Sequence, residues 1–183
     1  MSELDAFRAA KDRFFREHPN SPLTDEQRRT FAGLRYFPED PTLRLSLPVE
    51  LLERPSTIVM PTSAGDTRTY RRLGRVRLAI DGHDAALTLF ADESGALFLP
   101  FADALAGEET YGAGRYLDPE PLGDGRVLVD FNLAYNPSCA YNDGWSCPIT
   151  PPENRLRVAI RAGEQIYPDP VHLAEDDEAE ALR

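Results

Sequence analysis

The side chains with the most chemistry to offer lie between Tyr111 and Asn154. Gly112-Ala113-Gly114-Arg115 opens the stretch. Closely spaced glycines let a backbone approach a ligand, and an arginine beside them can clamp a carboxylate or phosphate with a forked pair of hydrogen bonds. The same glycines also suit a turn or bulge leading into a strand, with Arg115 in a structural ion pair. The third glycine and the lysine of a phosphate-binding loop are missing. Asp130 and Asn132 alternate onto one face of a strand, away from Phe131. With Asn136 and Asn142 they have the oxygens to bind a hard cation or orient a substrate. They equally have the chemistry of turns, and their spacing is not that of a calcium loop.

Cys139 and Cys147 admit three readings: a disulfide or packed pair, two ligands of a metal, or a nucleophile. Seven residues separate them, and Asn142-Asp143-Gly144 among these can fold the segment back so that the thiols lie close. None of His18, His83 and His172 forms a recognised ligand pair with them, and two thiolates alone do not fill a zinc site. Glu153, behind Pro151-Pro152, is a carboxylate at a rigid entrance to a strand, available as a general base or as a partner for Arg115. Tyr111, Tyr116 and Tyr135 add the aromatic surface of a ligand pocket. Asp130 and Glu153 are therefore the acid–base candidates. Tyr111, Arg115, Tyr116, Asn132, Tyr135, Asn136 and Asn142 are the ligand-binding ones.

These residues need a scaffold. Leu4, Phe7, Phe14 and Phe15 share a helical face behind a Ser2 cap, and His18-Pro19 ends that helix. Thr24 and Gln27 form the capping box of a second, shorter helix with Gly33 as its C-cap. Residues 1–33 are thus helical, packed through Phe7, Phe14, Phe15 and Phe31. Period-two runs then predict strands at 34–37, 43–47, 57–60, 67–71, 75–80, 86–90, 97–101, 115–117, 127–131 and 155–160. The residues from 132 to 154 are dense in Asn, Pro, Tyr and Gly, and a long irregular stretch of this kind is often functional. The fold class is mainly β (α+β): an antiparallel β-barrel or sandwich carrying two short N-terminal helices. One domain is expected over 1–183, with a β-rich body at 34–167 and an acidic tail at 168–183.

Composition narrows the partners. A formal charge of −11 repels phosphate backbones, so nucleic acid is not expected. Of the 20 basic side chains, all but Lys11 are arginines. No apolar run approaches the roughly 20 residues of a membrane span, and the acidic N-terminus does not resemble a signal peptide. The expectation is a cytoplasmic protein away from membranes. The sequence names no cofactor, no metal and no oligomeric state.

The chain resembles the bacterial and archaeal proteins grouped as domain of unknown function 1684. The resemblance rests on Glu109-Thr110-Tyr111-Gly112-Ala113-Gly114-Arg115-Tyr116, on the run from Asp130-Phe131-Asn132 to Ala140-Tyr141-Asn142, on Cys147-Pro148, and on Pro151-Pro152-Glu153-Asn154-Arg155-Leu156. Phe14-Phe15, Ser21-Pro22-Leu23 and Gly33-Leu34 fit as well. Leu133 stands where that family commonly has a basic residue. The family name implies no activity. The residues point to a small-molecule site, with or without catalysis, in which Arg115 meets an anionic group and Asp130 or Glu153 supplies polar or acid–base contacts. The competing expectation is a non-catalytic structural or protein-interaction module with a cysteine-stapled loop.

Overall fold

A computed structural model describes residues 2–168; the acidic run near the C-terminus lies outside the described residues. Helix α1 (Glu3–Glu17) starts at a reciprocal cap, in which the Asp5 amide donates to Ser2 Oγ at 3.1 Å and the Ser2 amide to Asp5 at 3.0 Å. Helix α2 (Asp25–Thr30) repeats the device with Thr24 and Gln27. It ends at Phe31, so Gly33 is not its C-cap. Only part of the expected aromatic face is buried. Phe15 and Phe31 join Leu23 and Tyr141 in a small core, whereas Phe7 and Phe14 are 47% and 39% exposed.

The body consists of two antiparallel sheets. Strands β1 (Arg44–Pro48), β8 (Arg126–Asp130) and β7 (Glu120–Pro121) make one, in the order β1-β8-β7. Strands β2 (Glu50–Pro61), β3 (Thr67–Ile80), β4 (His83–Ala91), β5 (Leu97–Phe101) and β6 (Arg115–Leu117) follow one another in the second. The sheets are not closed into a barrel. Both supply one apolar core: Val76, Leu78 and Ile80 from β3, Leu87 and Leu89 from β4, Leu99 and Phe101 from β5, and Val127 and Val129 from β8. Alternation in β3 leaves Arg75 and Arg77 outside while Val76 and Leu78 go in.

Three sequence expectations change. Residues 67–71 and 75–80 are a single strand, bent at a bulge beside Gly74. A side chain at that glycine would meet Glu50 O at 2.5 Å, so the close approach of β2 excludes any other residue. Residues 34–37 make only a bridge from Tyr36 to Glu164. The stretch 155–160 is not a strand. Its alternation is real, with Ile160 buried and Leu156 and Val158 packed on the core. However, its backbone bonds go singly to Ala102 O, to the Ala104 amide and to the Asp103 carboxylate, not to a continuous ladder.

Candidate functional site

Arg115 enters from β6 and is 1% exposed. Its guanidinium donates to Ala162 O at 2.5 Å, to Glu164 O at 2.9 Å and to Ile160 O at 2.9 Å. Asp103 lies 3.6 Å away, and itself accepts from Thr110 and the Ile160 amide. Burial draws the Arg115 pKa down to about 10, against the pull of Asp103 and Glu164, so the group stays charged at neutral pH. The arginine therefore does for residues 160–164 what a neighbouring strand would do: it satisfies their buried carbonyls. Gly114 belongs to the same packing. Its φ is +105°, and a side chain there would meet Thr150 Oγ1 at 2.2 Å. The close approach that Gly112-Ala113-Gly114 permits is to the protein's own chain.

The acid–base candidates sit elsewhere. Asp130 caps the short 3-10 helix Phe131–Leu133 through the Asn132 amide at 3.0 Å and faces Arg44 at 3.3 Å. Asn132 is therefore beyond the strand, where its amide group clasps both backbone groups of Asp40. Glu153 pairs with Arg72 of β3 at 3.0 Å, not with Arg115. Among the described residues, Arg115, Asp130 and Glu153 thus belong to three separate networks and do not converge. Asn136 donates to Gln165 O and Asn142 accepts from the Gly144 amide, both at close range and within the fold. Tyr135 donates to the Asp118 carboxylate at 3.0 Å, and the Tyr116 hydroxyl donates to Pro148 O.

Two residues that sequence reasoning passed over organise the interior. Glu164 is 1% exposed and accepts from the Asn136 amide at 2.8 Å and the Tyr141 hydroxyl at 2.5 Å, while its other oxygen pairs with Lys11 of α1. Asn154 holds β4 and the end of β5 together, accepting from the Thr88 amide and donating to Thr88 O and Pro100 O. A polar residue just after a turn glycine was the available signal for Glu164.

The cysteines do come together. The Cys139 amide points at Cys147 Sγ over 3.3 Å, with Cys147 buried and Cys139 half-buried, and both are free thiols. The 3-10 turn Ser138–Ala140 carries one sulfur. The other is anchored to the β2–β3 turn, where the Cys147 amide donates to Ser63 Oγ at 3.1 Å and the Ser63 amide to Cys147 O at 2.9 Å. The Tyr111 hydroxyl lies 3.7 Å from Cys139 Sγ.

Residues 29–165 match the family model described as protein of unknown function DUF1684. The chain belongs to the DUF1684 family. An uncharacterised protein of Haloarcula marismortui, solved by solution NMR, is 42% identical with a TM-score of 0.67, and the match covers 89% of this chain and 92% of that one. No curated protein matches the sequence.

In this DUF1684 protein the thiols are electrostatically unequal. Hydrogen bonding from Cys147 pulls the Cys139 thiol down to about 6, with Tyr111 and Ser63 adding to the effect and burial opposing it. The same partnership, with burial, pushes Cys147 up. Of the two sulfurs, Cys139 is the one whose thiolate is favoured. The Tyr111 phenol, raised by burial and then by its bond to Cys139, stays protonated. Among the described residues no group of three or more His, Cys, Asp or Glu could hold a metal ion, and no helix is long and apolar enough to cross a membrane.

Proposed function

We propose that the small-molecule site of the 111–154 segment is a dithiol centre, with Cys139 as nucleophile and Cys147 as resolving thiol. The observation that carries this reading is the 3.3 Å contact from the Cys139 amide to the buried Cys147 Sγ, which brings the two cysteines together while Cys139, with Tyr111 3.7 Å from its sulfur, is only half-buried. The favoured substrate class is a small disulfide. Cys139 thiolate attacks one substrate sulfur; the protein–substrate S–S bond forms as the substrate S–S bond breaks, and one substrate thiolate leaves. Cys147 gives its proton to that leaving thiolate. Its sulfur then attacks Cys139, forming the internal S–S bond and releasing the second substrate half as a thiolate, which takes its proton from water. The protein dithiol is oxidised by two electrons and one disulfide becomes two thiols; a dithiol reductant restores the starting state. A reducing cytoplasm, the compartment expected from the sequence, would keep the pair reduced between turnovers.

Intact-mass analysis with hydroxyethyl disulfide tests the scheme. Wild type ends with an internal disulfide and no adduct. Cys147→Ser stops at a mixed disulfide on Cys139, and Cys139→Ser remains unmodified. A wild-type protein that retains the adduct, or a Cys139 that reacts no faster than a free cysteine peptide, overturns the reading.

A second reading has its own observation. Gln27 of α2 donates to Tyr141 O at 2.6 Å, and Trp145 Nε1 donates to Pro22 O at 3.3 Å. The cysteine loop therefore buttresses the N-terminal helices, and a purely structural loop is the alternative. It predicts that Cys147→Ser lowers stability while thiol reactivity stays ordinary.

A further inference from the structure

We propose that a second site, separate from the thiols, lies between α1 and the β6–β8 region and binds a small organic ammonium ion through its carboxylates and apolar floor. A cleft of about 230 Å³ opens there. Leu117 and Leu128 form part of its lining, joined by Phe7 of α1, Leu133 and Tyr135. Phe7 and Leu133 are 47% and 39% exposed, so two large apolar side chains face solvent on one concavity of a highly charged chain. No lining residue is shared with the Cys139–Cys147 cluster.

The charge decides the occupant. Asp118, Glu120 and Asp130 all line the cleft. Against them stand two cations. Arg44 pairs with Asp130 at 3.3 Å from an exposed position, and Lys11, paired with Glu164, lies 4.9 Å from the Tyr135 ring centroid at the edge of the cleft. Asp130 is already committed to Arg44 and Asn132, so the carboxylates of Asp118 and Glu120 beside hydrocarbon are the ones that complement a positive head on an apolar body, the reverse of the anionic ligand that Arg115 suggested from the sequence. Tyr135 fixes Asp118 by donating to both of its oxygens, at 3.0 and 3.2 Å, which leaves their remaining lone pairs free to accept from an ammonium. The volume is below the roughly 300–1,000 Å³ of sites for drug-sized ligands, so the occupant is a small amine and not a peptide or nucleotide cofactor.

Hexylammonium is the probe, with hexanol as its neutral counterpart, followed by amide NMR titration of the full chain. The amine saturates and moves resonances at residues 117–120 and 133–135; hexanol does not saturate over the same range. Glu120→Gln, at an exposed position, weakens the amine about tenfold, as does Asp118→Asn, and the double variant weakens it further. Phe7→Ala weakens amine binding by a smaller factor without changing its charge dependence. Equal affinity for hexanol, shifts that map elsewhere, an unaffected double variant, or no saturable amine binding would each overturn the assignment.

Discussion

Two polar regions of this molecule are built from the same stretch of chain and differ in what their polar groups have left to give. Around Arg115 and Glu164 the charged atoms face the protein itself: backbone carbonyls of residues 160–164, the Asp103 carboxylate, the Asn136 amide, the Tyr141 hydroxyl and Lys11. Around Cys139 the Tyr111 hydroxyl lies 3.7 Å from the sulfur of a residue that remains only half-buried. Both regions hold a group with a displaced pKa, one lowered to about 10 by burial and the other to about 6 by hydrogen bonding. The lesson is that a perturbed charge marks a functional atom only where the atom can still meet a substrate. Arg115 satisfies the first condition and fails the second; Cys139, only half-buried, is the group on which the proposed site rests.

Breaking the buried half of the comparison has the largest effect. Arg115→Met leaves the buried Asp103 carboxylate without its cation and orphans the carbonyls of Ile160, Ala162 and Glu164. Removal of one member of a buried charged network costs about 3–5 kcal/mol, to be read from urea denaturation. Arg115→Lys should recover little of this, because a single ammonium cannot fork to carbonyls on three residues. A variant that keeps wild-type stability but loses affinity for a small anion would return Arg115 to the role the sequence suggested.

The contrast also explains what was legible in advance. Local devices were: both capping boxes, the fold-back that brings Cys139 to Cys147, and the alternation of β3 all operate within a few residues. Arg115 was legible as a special residue but not in its role, since its partners lie 45 to 49 positions further along. Residues 155–160 carried the alternation of a strand, yet pattern reports burial and not where backbone hydrogen bonds go. The pairing of Lys11 with Glu164 bears no local signal, because their meeting depends on where α1 docks. The cleft beside Phe7 is of the same kind: its lining includes Asp130 and Tyr135, two sequence candidates, but joins them to a helix more than a hundred residues away.

The exposed half is sharpened by pH. A thiolate is the nucleophile, so alkylation of Cys139 rises with pH and levels off once the group is ionised. With Cys139 lowered to about 6, the rate should reach half its plateau near that pH, whereas an ordinary thiol is still climbing above about 8. At pH 6 the larger thiolate fraction outweighs the lower intrinsic nucleophilicity, and Cys139 should react about tenfold faster than a free cysteine peptide. Tyr111→Phe removes a donor to the sulfur and moves the midpoint upward; Arg115→Met, if folded, does not. Stopped-flow iodoacetamide labelling of Cys147→Ser and of wild type separates the two sulfurs. Loss of the low midpoint in Cys147→Ser alone would assign the depression to the paired thiol, the first of its causes.

Glu153 gives the smallest effect and the finest test. It is neither enclosed like Glu164 nor beside the thiols; it meets Arg72 at 3.0 Å with about a quarter of each side chain still in water. Arg72 also donates to Thr57 O, so it keeps a partner when the carboxylate is neutralised. Partly exposed pairs of this kind contribute roughly 0.2–1 kcal/mol, and Glu153→Gln, which preserves shape and a hydrogen-bond acceptor, should fall within that range in urea denaturation. Added salt should shrink the difference, because exposed charges are screened. If Glu153 serves only this ion pair, the alkylation profile of Cys139 is unchanged in the variant. A change in that profile larger than the stability change would draw Glu153 into the thiol site as a positioning residue. A drop of several kcal/mol would instead place it with Arg115 among the buried supports of the fold.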